Sequence, residues 1–138
     1  MIQPRGGYRF SVDALLLADF VTVRKRDRVV DLGTGCGIIP LVLLRARGAA
    51  QVAGLEIQES LVRCAAGNAD LNRLRDRMVV VRGDLRRPPL RHGSFHAVVC
   101  NPPYRRARSG RTNPDRERAV ARHEILASLD DILRSSRL

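Results

Sequence analysis

Four short apolar runs, each closed by a polar side chain, constrain this chain more than any other feature. Val29-Val30-Asp31-Leu32 carries Asp31, and Gln51-Val52-Ala53-Gly54-Leu55 runs into Glu56. Met78-Val79-Val80-Val81 ends near Asp84, and Phe95-His96-Ala97-Val98-Val99-Cys100 runs into Asn101. Runs this short read as buried strands, and the longer segments between the first three carry helical periodicity. Strands alternating with helices imply a parallel sheet with right-handed crossovers. Ligands of open parallel sheets bind beyond the carboxyl ends of the strands. Asp31, Glu56, Asp84 and Asn101 are therefore expected to converge on one edge.

The rest of the chain fits that frame. A helix is expected from Ser11 to Thr22, where Ser11 can cap and Val12, Leu15, Leu16 and Phe20 recur at helical spacing. A second helix runs from Ile38 to Arg47, with Pro40 in its first turn and Gly48 at its end. A third covers Glu59 to Arg73, and a long final helix covers Asp115 to Arg134. The 138 residues suffice for one domain with one core. Aromatic content is only 4%, so that core must be aliphatic. No apolar run reaches the roughly 18 residues of a membrane span, and no signal peptide is indicated. Cys36, Cys64 and Cys100 are widely spaced and odd in number, which suits a reducing cytoplasm and makes no metal pair.

The turn Asp31-Leu32-Gly33-Thr34-Gly35-Cys36-Gly37 follows the first strand. Its glycines let backbone approach a ligand, and it opens into a helix N-terminus that favours a negative group. The dinucleotide pattern Gly-x-Gly-x-x-Gly fails, because Ile38 holds its last position. Asp31 repels a pyrophosphate but attracts an ammonium. The ligand implied carries a carboxylate and an ammonium close together, as the amino-acid end of S-adenosylmethionine does. Glu56, followed by Ile57, is placed to accept two ribose hydroxyls. Asp84 is placed to accept from an adenine amine, with the Leu85 N–H as donor. A glycine-rich turn or a lone strand-end acid is often only structural; the order and spacing of the set carry the reading.

Asn101-Pro102-Pro103-Tyr104 follows the fourth strand. Proline restricts the residue before it to extended conformations and fixes its own φ. The Asn101 side-chain oxygen and the Pro102 carbonyl thus become two preset acceptors. An exocyclic amine such as adenine N6 has two N–H donors and a lone pair delocalised into its ring. Accepting both hydrogens pushes that nitrogen toward tetrahedral geometry. Tyr104 can stack on the base, worth about 1–3 kcal/mol. The base must first leave its own stack.

Together the Asp31–Gly37 turn, Glu56, Asp84 and Asn101–Tyr104 resemble class I methyltransferases that modify planar amino nitrogens. Gly7-Tyr8-Arg9-Phe10-Ser11-Val12-Asp13-Ala14-Leu15-Leu16-Leu17-Ala18 lies upstream, and Ser109–Asp115 and Ala119–Glu124 lie downstream. These segments are similar to the bacterial tRNA (adenine-N6)-methyltransferases that act beside the anticodon of a valine tRNA. The resemblance implies a Rossmann-like class I methyltransferase fold, α/β, with a parallel sheet and helices on both faces. It implies S-adenosylmethionine as cofactor, no metal, and a cytoplasmic enzyme. It places Arg9-Phe10-Ser11 beside the methionine part of the donor and gives the catalytic role to Asn101, Pro102, Pro103 and Tyr104. Family members have seven strands, and only about four are present here. The chain is therefore expected to be the N-terminal part of a single methyltransferase domain.

The net charge is +11, with 25 basic residues against 14 acidic ones. The stretch from Arg105 to Arg122 holds seven arginines against Asp115 and Glu117. These suit tRNA phosphates, which position an RNA without reading it. Two other readings stay open. A protein glutamine amide is also planar and fits the same hook. An inactive fragment that binds donor or RNA is the third.

Overall fold

The central strands β1 and β2 are buried on both faces, and each expected strand is found. The computed structural model describes residues 1–5, 9–102 and 128–137. In chain order these form α1 (Val12–Phe20), β1 (Arg28–Leu32), α2 (Ile38–Arg45), β2 (Gln51–Glu56), α3 (Glu59–Leu71), β3 (Met78–Arg82), β4 (Ala97–Cys100) and α4 (Leu129–Ser135). The sheet order is β3-β2-β1-β4, and every pairing is parallel. Val30 lies beside Ala53 and Val98, and Leu32 beside Leu55 and Cys100. This register aligns the carboxyl ends, as the polar strand ends predict.

Alternation along the strands divides the core into two layers. One face sends Val29, Val52, Met78 and Val99 against α1, α2 and α3, where Leu43, Ala65 and Ala69 are buried. The other face sends Val30, Leu32 and Leu55 against Leu85, Leu90 and Phe95 of the segment between β3 and β4. Ser135 of α4 ties to that segment by donating its hydroxyl to the Leu85 carbonyl. The core is aliphatic, as the composition requires.

The first helix buries the side opposite its large residues. Val12, Leu16 and Phe20 are 64%, 62% and 86% exposed, while Ala14 and Ala18 are buried against the core. Small side chains let α1 approach α2 closely, and that contact outweighs the apolar stripe. Ser11 occupies the N-cap position but accepts no backbone N–H; its hydroxyl donates to Asp13 instead.

The last helix also differs from expectation. Ser128 has an extended backbone, with φ −71° and ψ 164°, and its side chain forms a capping box with Asp131. A helix therefore starts at Leu129 rather than running unbroken from Asp115. Residues 115–127 lie outside the described residues.

Candidate functional site

The glycine turn is stapled to the end of β2. The Leu55 carbonyl accepts from Gly33 N–H at 2.8 Å and from Thr34 N–H at 3.0 Å. Gly33, Gly35 and Gly37 have φ of 75°, 58° and 83°, which other residues rarely adopt. Gly37 has a second reason to lack a side chain. A Cβ there would lie 2.5 Å from Met78 Cε and 3.2 Å from Ala65 Cβ, so the turn packs directly on α3 and β3.

Asp31 sits wholly buried beneath this turn. Thr34 donates its hydroxyl to Asp31 Oδ2 at 2.7 Å, while Oδ1 has no hydrogen-bond partner among the described residues. Burial pushes the Asp31 carboxyl up to about 7; the Thr34 bond opposes this and the Glu56 charge adds to it. Cys100, beside Leu32 across the sheet, is pushed up to about 12 by burial and then by the Asp31 charge. Its side chain packs against Val30, Leu32 and Leu55.

Glu56 is a buried organiser of backbone. Its Oε2 accepts from Gly35 N–H at 2.8 Å, and its Oε1 from Ile57 N–H at 2.9 Å and Gln58 N–H at 3.0 Å. A carboxylate offers about four acceptor sites, so roughly one remains for a ligand hydroxyl. The two hydroxyls expected from sequence therefore compete with the protein's own backbone. Ile57 is exposed beside it.

Asn101 directly follows β4, one residue past the Leu32–Cys100 pair. Its Oδ1 is buried and, like Asp31 Oδ1, without a partner among the described residues. Neighbouring strands thus bring two unsatisfied acceptors to one edge of the sheet. Pro102 is half-buried beyond it. Pro103, Tyr104 and the basic stretch 105–122 lie outside the described residues.

Asp84 lies at the same edge, where Gly83 N–H donates to the Glu56 carbonyl at 2.9 Å. Its carboxylate is held by the Arg86 guanidinium and by Arg86 N–H, which keep it below the usual carboxylate range. The Leu85 side chain packs under the sheet. At the other end of the chain, Arg9 and Ser11 are exposed, while Phe10 packs on the helix-side core. Burial pushes the Cys36 thiol of the glycine turn up, and the nearby Phe10 backbone opposes this.

Three residues missed by sequence reasoning complete the arrangement. Thr34 orients Asp31. Gly54, opposite Asp31 in the register, makes room for Thr34: a Cβ there would lie 2.7 Å from Thr34 Cγ2. A glycine inside a strand was the available signal for this close approach. Asn68, fully buried on α3, donates to the Cys36 carbonyl at 2.8 Å and the Ile2 carbonyl at 2.9 Å, and accepts from Ile2 N–H. It ties the N-terminal segment to the glycine turn. A cavity of about 250 Å³ lies near the starts of β1 and β2, lined by Arg28, Gln51, Val79, Leu90 and Phe95 and by none of these polar groups.

Among the described residues no cluster of His, Cys, Asp and Glu could hold a metal, and no helix is long and apolar enough to cross a membrane.

Relatives and solved structures repeat this frame. The chain is 33% identical over 122 residues to a tRNA1(Val) (adenine(37)-N6)-methyltransferase of Tolumonas auensis, covering 88% of this chain and 50% of that protein. It is 36% identical over 108 residues to the protein of the same name from Porphyromonas gingivalis, covering 75% of this chain and 42% of that one. The chain thus spans about half the length of the curated relatives it matches. A geranyl diphosphate C-methyltransferase of Streptomyces coelicolor, solved with S-adenosyl-L-homocysteine, superposes with a TM-score of 0.58 at 21% identity. That match covers 64% of this chain and 34% of that one, and it shows the Rossmann-like class I methyltransferase fold. Residues 10–129 match the methyltransferase small domain, and with the fold in agreement the chain belongs to that family.

Proposed function

We propose that this chain holds the donor and acceptor sites of an S-adenosylmethionine-dependent enzyme that methylates N6 of an adenine in tRNA, beside the anticodon of a valine tRNA. The observation that carries the reading is the pair of buried oxygens without a partner among the described residues, Asp31 Oδ1 and Asn101 Oδ1, at neighbouring strand ends. Buried acceptors call for donors. An ammonium suits the first and an exocyclic amine the second. The printed names of the Tolumonas and Porphyromonas relatives support the adenine and the tRNA. The same reading places the enzyme in the cytoplasm.

Bound S-adenosylmethionine supplies an electrophilic methyl group on a sulfonium. In this reading Asp31 receives the ammonium of that ligand, and the glycine turn and the start of α2 face its carboxylate. Glu56 holds the turn rigid and keeps one acceptor for a ribose hydroxyl. Asn101 and the Pro102 carbonyl accept the two N6 hydrogens. Asn101 and the Pro102 carbonyl would thereby aim the N6 lone pair, withdrawn from the ring, at the sulfonium methyl; the transfer would form N–CH3, break S–CH3 to leave S-adenosylhomocysteine as a neutral thioether, and pass one N6 proton to solvent. Alignment supplies most of the rate, and no strong base is needed. Pro103 and Tyr104 complete the hook, with Tyr104 stacking on the base.

The test is methyl transfer from labelled donor to total tRNA or to a release-factor-type protein. The expected result is label in tRNA at an N6-methyladenine, lost in Asn101→Ala. Label in the protein and none in tRNA replaces this reading with glutamine methylation. Donor binding without any transfer leaves a binding fragment.

A further inference from the structure

Because all four strands are parallel, the segments that enter them share one edge, opposite the glycine turn. That amino edge is strongly basic. Arg24, Lys25, Arg26 and Arg28 precede or open β1, and all are exposed. Two exposed arginines lie between α2 and β2 or at the end of α2, three lie between α3 and β3, and one lies before β4. These ten cations face four carboxylates, Asp19, Asp27, Asp70 and Asp76. The described residues as a whole carry eighteen Lys and Arg against eleven Asp and Glu. The excess positive charge of the described chain therefore sits almost entirely at this edge, which an even arginine bias does not produce.

The edge is also braced. The Arg77 guanidinium donates to the Ala49 and Ala50 carbonyls, tying the entry of β3 to that of β2. The His96 ring accepts from Arg28 N–H at 3.0 Å, and His96 N–H donates to the Arg28 carbonyl at 2.8 Å, tying β4 to β1. Arg47 and Arg75 pair with Asp19 and Asp70. Arg24, Lys25, Arg26 and Arg28 have no side-chain partner among the described residues, although the Asp27 carboxylate is close enough to accept from Arg24 N–H.

We propose that this amino edge is a second docking surface for the phosphate backbone of RNA, separate from the acceptor hook. Arginine forks match phosphate oxygens. Four strands side by side span roughly 15 Å, enough for several phosphates of one strand. The stretch Arg24–Arg28 that opens β1 exposes four cations and no large apolar side chain, which suits a polyanion; the exposed Phe20, Leu71 and Val79 lie outside that stretch. Strand length sets this edge roughly 15 Å or more from the donor turn. The surface therefore holds a part of the RNA remote from the reacting base. The choice of RNA over another polyanion rests on the tRNA reading above.

The experiment compares total tRNA binding, across a salt series, for the full chain and two triple variants. One is Arg24→Ser, Lys25→Ser, Arg26→Ser. The other removes the same charge elsewhere, as Arg63→Ser, Arg134→Ser, Arg137→Ser. The first triple is expected to lose about tenfold or more in affinity near 0.1 M salt and to flatten the log–log salt slope by about 2–3. The second is expected to change both far less, and S-adenosylmethionine binding is expected to be unchanged in both. Equal losses in the two triples, or no loss in the first, overturn the proposal and leave the tRNA reading standing. No tRNA binding by the unaltered chain overturns both.

Discussion

Thr34 donates its hydroxyl to Asp31 Oδ2 at 2.7 Å, in a space that exists because residue 54 has no side chain. One end of a strand, the turn after it and the neighbouring strand thus cooperate to aim one carboxylate. Oδ1, without a partner among the described residues, is left as its free acceptor.

Removing either member should disturb that aim. Gly54→Ala would put a Cβ within 2.9 Å of three Thr34 side-chain atoms, displacing the hydroxyl from Asp31. The expected cost is about 1–3 kcal/mol in chemical denaturation, the range for overpacking. Thr34→Val keeps the shape and removes the hydrogen bond, and Thr34→Ser keeps the bond. Weaker donor binding by the valine variant, retained by the serine variant, is the expected calorimetric result.

Asp31 predicts a pH dependence. Its carboxyl titrates at about 7 when folded and near the model-compound value of 3.8 when unfolded. Between these values the folded chain binds the extra proton, so Asp31 makes the ligand-free protein less stable as pH rises from about 4 to 7. Asp31→Asn should remove this part of the slope, measured as the melting temperature from pH 5 to 8. Binding of an ammonium favours the charged carboxylate. Donor affinity should therefore rise through pH 7, with proton release near pH 6 visible as buffer-dependent binding heat.

Glu56→Gln should loosen the glycine turn. The amide has one acceptor oxygen where the carboxylate has two, and its NH₂ would face a backbone N–H at Gly35 or at Ile57 and Gln58. The expected loss is about 1–3 kcal/mol. Faster amide exchange at Gly35 or at Ile57, reported by NMR, would locate it.

Asn68→Ala should release the N-terminal segment. Three hydrogen bonds to Ile2 and Cys36 disappear, leaving the Cys36 carbonyl without its Asn68 donor. Hydrogen exchange at the Ile2 amide should approach that of an open chain. Unchanged exchange there would remove Asn68 as the tie.

Local signals carried much of this molecule. Apolar runs closed by Asp31, Glu56 and Asn101 located the strand ends, and the glycines at 33, 35 and 37 located the turn, because pleat, turn and helix depend on near neighbours in the chain. The outward face of α1 was not legible: whether Ala14 and Ala18 or Leu16 and Phe20 face inward depends on how closely α2 approaches. Nor were the three backbone N–H bonds to Glu56, the Arg86 clamp on Asp84, or the Thr34–Gly54 fit.

The order of elements and the edge where polar groups gather were thus set by the sequence, through periodicity and through chain geometry at glycine and proline. Which oxygens remain free at that edge was decided only by tertiary structure. Hydrogen-bond satisfaction and desolvation depend on atoms brought together from distant parts of the chain, as Gly35 N–H meets Glu56.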